Sequence, residues 1–542
     1  MKPLVLSILS LALLTGIVAK AQPTDVKYSN SFDEPNNGWN KVMQLSNGNT
    51  FLFNFSKDGI EVTVYNQNRA FASKKVLQSK LWEPRKMNSS VIEGLFEIDG
   101  KPVIFLQQLL DRTPTLFRII LDPNTGAMLK EENINELQRY GAGAGYAMAF
   151  GKVEQADFQV EKDPQSDCYA IVSFNSFAEE SNNRIQIAHY NGSHKEINRV
   201  NYPSQGFKYI NLIGLTVHSE KHIIACTYGY NTAASGGKDS RVIVSKLNAG
   251  DTNFINKQLE NTADFRNTEA VMQFNPGTGL IQLMTLTITK GRQRSVGLAA
   301  IGVPQSSKTY YGSIYTLIDP ESLYIVSSKS IGNSSADNVA KSEFGITKGF
   351  HGLPQTMVIN PDNSTTILSE EMTIDQIMGS YGSVSYRTHL NNIGVTDFDV
   401  KGSETGGTVI LKEQMANGLI EPLYMYNKSK GFWSFMGLGW ARGIAPNNAF
   451  LSYDYVATPE GRYIIFNDYP ENIERKAEKK YNKIKQVVYI SDANTMCYKL
   501  NNGKAEEFYL FGAPKDDDYS KFCYVESSHY NPKTKTYATL MI

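Results

Sequence analysis

The chain of 542 residues holds only four cysteines, Cys168, Cys226, Cys497 and Cys523. That is too few for the disulfide framework on which small secreted domains depend. Cys497 and Cys523 offer one late staple, with separate buried thiols as the alternative. No CxxC, no His/Cys pair at zinc-finger spacing, no HExxH and no GxSxG occurs, so the local signatures of zinc sites and activated serines are missing. Charge of one sign is lacking too: 54 Lys plus Arg face 54 Asp plus Glu, and no general field draws the chain to nucleic acid or an anionic membrane.

Long apolar runs are absent except at the start, MKPLVLSILSLALLTGIVAKAQ, where Leu4 to Val18 follow Lys2 and precede the small Ala19 and Ala21. This is the pattern of a cleaved secretory signal, 1–21, cut after Ala21. The run of about 15 residues is short of the roughly 20 a spanning helix needs. No cysteine follows the cut. The expectation is an exported protein, periplasmic or extracellular, not lipid-anchored, with no transmembrane segment after cleavage.

What the chain has in abundance is one kind of turn. Asp122-Pro123 returns as Asp163-Pro164, Asn275-Pro276, Asp319-Pro320, Asn360-Pro361, Thr458-Pro459 and Asn531-Pro532, each between short β-type runs. Asp or Asn bonds back to the turn backbone, Pro presets φ, and a following Gly or Asn accepts positive φ. AVMQFNPGTGLIQLMTLTI and SIYTLIDPESLYIVSSKSI read as hairpins. With proline relaxed, hairpins fill the chain and alternate. Those turning near residues 46, 99, 163, 219, 275, 360, 458 and 531 pair two apolar strands; those near 66, 122, 191, 248, 319, 403 and 492 end in charge, as in LKEE.

Two hairpins make a four-stranded unit recurring roughly every 55–65 residues, then about 75–100 where loops lengthen. The expectation is all-β: a β-propeller of seven to eight four-stranded antiparallel blades over 22–542, one domain. N- and C-terminal strands close the ring, with VKYSNSF near residue 27 as the N-terminal strand. The alternative is two β-sandwich domains, although no Pro-, Gly- or Ser-rich linker divides the chain.

Two insertions break the repeat. One is a helix near 471–485, with Ile473, Ala477, Tyr481 and Ile484 on one side and a basic outer face, read as a solvated lid, with a binding helix as the alternative. The other, near 418–446, contains KGFWSFMGLGWARG, which gathers two of the four tryptophans within eight residues. Trp433, Trp440 and Arg442 are the candidate ligand-binding residues, since function tends to sit on such loops. The alternative is that this loop plugs the central channel.

Other signals have plainer explanations. The run RYGAGAGYAMAFGK lacks the strand and helix of a phosphate loop and reads as a connection between blades. His218 and His222 flank a hairpin turn, not one helix face. Glu370, Glu371, Asp397 and Asp399 are explained by hairpin ends, although an acid/base pair meeting from distant loops leaves no local spacing. Asp516, Asp517 and Asp518 lack the Gly and final Glu of a calcium loop. Neither a metal nor a cofactor is expected.

Units such as TLFRIILDPNTGAMLKEE, the AKAQ signal end and the Tyr, Phe and Asn content resemble uncharacterised exported β-propeller-like proteins of Bacteroidota-type bacteria, over the whole mature chain. The resemblance implies fold and compartment and no activity. The Trp-Asp ending of WD repeats and the SxDxGxxW box of sialidases are absent. The functional expectation is an exported non-catalytic binding or scaffold protein for a glycan, peptide or envelope partner. The alternatives are a carbohydrate-active enzyme with acid and base from separate blades, and a purely structural protein.

Overall fold

A computed structural model describes residues 25–32, 38–143, 157–231 except 179, 240–290 except 263–264 and 266–267, 310–379, 384–429 except 421, 433–434, 448, 450–501, 504–514 and 520–542. The expected signal lies outside these residues. No described helix is long and apolar enough to cross a membrane.

Among the described residues, seven antiparallel meanders follow one another along the chain. They are β1–β4 (Trp39–Gln44, Thr50–Ser56, Gly59–Tyr65, Phe71–Val76), β5–β8 (Val91–Ile98, Lys101–Leu110, Thr113–Leu121, Met128–Glu136) and β9–β12 (Asp157–Lys162, Tyr169–Phe174, Ile185–Tyr190, Glu196–Asn201). Next come β13–β16 (Tyr209–His218, His222–Tyr230, Arg241–Asn248, Ile255–Gln258) and β17–β20 (Glu269–Asn275, Leu280–Lys290, Tyr310–Ile318, Ile325–Ser330). The last two are β21–β24 (Leu353–Ile359, Thr365–Met378, Val384–Phe398, Glu404–Ile410) and, after β25 (Gln414–Asn417) and β26 (Trp433–Ser434), β27–β30 (Asp454–Thr458, Gly461–Asp468, Asn494–Asn501, Lys504–Tyr509). A two-stranded sheet, β31–β32 (His529–Asn531, Thr536–Ala538), follows. Among the described residues three α-helices interrupt the strands: α1 (Ser334–Ser342), α2 (Tyr424–Ser429) and α3 (Pro470–Ala477).

The sheets form one ring. Separate apolar clusters fill the seams between sheets 1 and 2, 2 and 3, and so on to the two-stranded sheet. First strands touch first strands, as β5 meets β9 and β13 meets β17, so each sheet points its first strand inward. This is a β-propeller with seven four-stranded blades and a two-stranded eighth position. Two stacked sandwiches would leave the middle seams unfilled.

Radial position explains the composition of each strand. Middle strands are covered on both faces by neighbouring blades, which is why HIIACTYGY and LIQLMTLTI are apolar almost throughout. On β2, Phe51, Phe53 and Phe55 stack at 5.8 Å, and burying each contributes about 1.5–3 kcal/mol. Fourth strands face solvent and carry charge, as FASKKV does in β4, which also blunts the open edge.

The ring closes where the C-terminal hairpin meets β1. Lys41 Nζ donates to the carbonyls of Glu526 and Ser528 at 2.9 and 3.0 Å, and Ser527 Oγ to that of Asn40 at 2.6 Å. Residues 25–32 form no strand, contrary to the reading of VKYSNSF; Val26 only packs against the last cluster. The outer turn of blade 7 lies between Asn501 and Lys504, not near 492, where a 3-10 turn (Ile490–Asp492) precedes β29. All four cysteines are buried, and Cys497 and Cys523 lie within one cluster without a disulfide between them.

Candidate functional site

Strand alternation sorts the connections to two ends of the ring. Turns joining first to second and third to fourth strands lie at one end. Connections from second to third strands and from blade to blade start and finish at the other.

The turn end is stapled all the way round. Ser46 N–H donates to Glu97 at 3.0 Å, Asp99 N–H to Asp167 at 3.0 Å and Ser219 N–H to Asp163 at 2.9 Å. The His218 ring stacks on Phe274 at 3.9 Å, Asn275 Nδ2 donates to Asn363 O at 3.0 Å and Tyr455 OH to Asn360 at 3.2 Å. Lys535 pairs with Glu460 at 2.6 Å, and Asn531 Nδ2 reaches Gln44 O at 2.7 Å. Each contact joins one blade to the next. Packing is tight enough that a Cβ on Gly277 would lie 2.0 Å from the Asn363 side chain. Such an end has little freedom to reshape around a ligand.

The other end carries the length. Its second-to-third connections include 175–184, 231–240, 291–309 and 469–493, and its blade-to-blade connections include 331–352 and 411–453. The additions concentrate over blades 6 and 7. Beyond a bulge at Glu370/Met372, β22 and β23 run on as a hairpin arm, and β25 joins β23 with His389 opposite Met415.

The expected helix over 471–485 is shorter: α3 spans Pro470–Ala477, with Pro at its first turn. Lys479 takes φ 58 and Lys480 N–H returns to Arg475 O at 2.8 Å, the left-handed cap that ends a helix. The insertion is fixed from beneath. Lys476 Nζ contacts the buried Asp468 at 2.7 Å and Tyr498 OH at 2.9 Å, while Asn472 grips both Lys485 N and Lys485 O at 2.8 Å. Ile473 packs into the core between blades 6 and 7, and Tyr481 meets Phe344 edge-on at 5.0 Å.

Below the arm lies a polar cluster closed to solvent. Lys412 and Glu370, 1% and 0% exposed, pair at 2.6 Å. Lys412 Nζ also donates to Leu390 O at 2.9 Å and Gln414 Oε1 at 3.1 Å, and Tyr424 OH bonds both Glu370 and Ser452. Burial pushes the Glu370 carboxyl up and the Lys412 ammonium down, and each partner opposes that for the other. Ser452, at φ 67, donates its N–H to Gln414 Oε1 at 2.7 Å. The ammonium's three donors are used within the protein, so the cluster anchors the 411–453 connection from a position closed to solvent.

The structure scatters the carboxylates singled out in sequence. Glu371 accepts His351 N–H at 3.1 Å and Asn392 Nδ2 at 2.8 Å; Asp397 pairs with Arg462; Asp399 caps its own turn from Lys401 and Ser403 N–H. His218 and His222 contact each other at 3.3 Å, and His222 is held down to about 4, first by burial and then by His218 and Lys246. Among the described residues no group of three His, Cys, Asp or Glu is placed to hold a metal. Trp440, Arg442 and Asp516, Asp517 and Asp518 lie outside the described residues. The backbone of Trp433 pairs with Ile92 on β5, the inner strand of blade 2.

Sequence reading missed Asp157 and Glu269, which open the inner strands β9 and β17 at the long-loop end. The signal was available: each is the first residue of the apolar hairpin of its blade.

No protein family matches the chain, and no curated protein matches it by sequence. Among solved structures it is similar to quinohemoprotein alcohol dehydrogenase from Comamonas testosteroni, at 9% identity over 77% of this chain and 61% of that one, TM-score 0.32. It is also similar to prolyl oligopeptidase B from Galerina marginata, at 8% over 79% and 54%, TM-score 0.34, and to Synechocystis apocarotenoid oxygenase, at 10% over 69% and 74%, TM-score 0.29. The chain thus spans 61% of the dehydrogenase's length and 54% of the oligopeptidase's. These neighbours are enzymes, and at such scores the likeness transfers no activity.

Proposed function

We propose that this is an exported, non-catalytic binding or scaffold protein that engages a glycan, peptide or envelope partner through its long-loop end. One observation supports the reading: the turn end is cross-linked blade to blade, whereas the long connections between described strands, 411–453 among them, start and finish at the other end. A rigid frame presenting variable loops is how binding sites are commonly built. The test is a glycan and peptide array probed with the mature protein and a Trp433→Ala/Trp440→Ala variant. Binding that the double variant loses supports the reading; binding that it keeps, but that turn-end substitutions abolish, overturns it.

The second reading is a carbohydrate-active enzyme, favoured by Asp157 and Glu269 standing at the long-loop end on separate blades. Polysaccharide turnover that disappears in both Asp157→Asn and Glu269→Gln would replace the binding reading.

A further inference from the structure

Residues 470–489, PENIERKAEKKYNKIKQVVY, hold six cations against three carboxylates in a chain of zero net charge. Part of that charge is spent within the insertion. Arg475 and Lys485 pair with Glu471 at 3.2 and 2.6 Å, Lys480 with Glu478 at 2.6 Å, and Lys476 with Asp468 below. Lys479 and Lys483 are exposed and make no ion pair among the described residues. In the same insertion Val488 and Tyr489 are 45% and 69% exposed, and Tyr469 OH holds both of their N–H groups at 3.0 Å. The lysines and the Tyr489 ring therefore stand on a fixed backbone, preorganised for contact.

We propose that this face binds an acidic polysaccharide, a polyuronate whose carboxylates meet Lys479 and Lys483 while a sugar ring packs on Tyr489. The proposal rests on the long-loop end being the ligand face. Charge complementarity selects an anionic polymer, and three features choose among such polymers. Ile473, Tyr481 and Ile484 turn inward, which leaves Val488 and Tyr489 as the large apolar side chains the insertion exposes, too small a face for the acyl region of a membrane. Arg475 is engaged by Glu471 and Asn472, leaving lysine point charges and no guanidinium fork for bidentate phosphate. A single exposed ring is not the series of platforms that single-stranded nucleic acid uses.

The experiment titrates the mature protein with polygalacturonate by calorimetry at about 50 and 200 mM salt, with dextran as the neutral polymer. Binding is expected at low salt, weakening about tenfold at the higher salt and about tenfold in Lys479→Glu/Lys483→Glu. Lys195→Glu/Lys221→Glu makes the same charge change on exposed turn-end residues and is expected to bind as the native protein does. No binding of polygalacturonate, or equal loss in both double variants, overturns the proposal. Tighter binding of phosphatidylserine vesicles or oligothymidylate, lost in Lys479→Glu/Lys483→Glu, also overturns it and reassigns the face. A ligand from the array that is lost in Trp433→Ala/Trp440→Ala but kept in Lys479→Glu/Lys483→Glu overturns the polyuronate alone. A ligand lost only on turn-end substitution overturns the long-loop reading itself.

Discussion

Asn531 donates its side-chain amide to the carbonyl of Gln44 across 2.7 Å, joining residues 487 positions apart in the chain. The same amide group reaches Glu97 at 3.4 Å, and Glu97 also accepts Ser46 N–H at 3.0 Å, so one carboxylate ties together the eighth, first and second positions of the ring. Asn531→Ala leaves a buried carbonyl without a donor and is expected to cost about 1–3 kcal/mol. Urea denaturation checks it; a change below about 0.3 kcal/mol would mean the seam is held elsewhere.

The recurring turns are not equivalent, and substitution should show it. Asp122 accepts only from its own turn, from Asn124 and Thr125 N–H at 3.0 and 2.8 Å. Asp163 caps its own Gln165 N–H at 2.9 Å and also holds Ser219 N–H on the next blade. Asp163→Ala is expected to cost about 1–3 kcal/mol and Asp122→Ala about 0.5–1 kcal/mol. Denaturation midpoints of the two variants measure the difference.

Acid should loosen the seam. His529 Nδ1 accepts Gln44 N–H at 3.2 Å, so the ring is neutral there, and burial, with the Lys41 ammonium second, holds it down to about 4. The unfolded chain, with histidine near 6.5, binds the proton first. Stability is therefore full above about pH 6.5 and falls as pH drops towards 4, by on the order of 1–3 kcal/mol for this group. His194 and His222 are also held down to about 4 and add to the wild-type slope. The comparison is thus His529→Gln with wild type at pH 7 and 4.5: the variant should lose less stability on acidification.

The Lys412–Glu370 pair should show the asymmetry of buried charge. Lys412→Met alone strands a carboxylate and is expected to cost about 3–5 kcal/mol; adding Glu370→Leu should restore a substantial part. A double-mutant cycle in urea tests this, and simple additivity would contradict it.

The inner hairpins are legible because two requirements coincide at most of them: an Asx-Pro, Thr-Pro or Asx-Gly turn and apolar strands covered on both sides. Where a weaker signal competed, reading failed. SDAN near 492 carries turn residues, but Asn502-Gly503 is the stronger hairpin signal. Helical spacing from Ile473 to Ile484 could not reveal that Lys479 turns left-handed and that Tyr481 and Ile484 dock on the α1 cluster instead. Lys412 and Glu370 meet across β22, β23 and the 411–453 connection, a pairing with no local spacing. The turn residues were explained by turn geometry, and only the fold shows that Asp163, Asn275 and Asn531 also fasten neighbouring blades.

Hydrogen–deuterium exchange of the protein tests ring closure most directly. Amides of 529–538 should exchange as slowly as those of the inner strands β1, β5 and β9. Exchange of 529–538 at the rate of a frayed terminus, with β1 still protected, would show that the C-terminal hairpin does not close the ring.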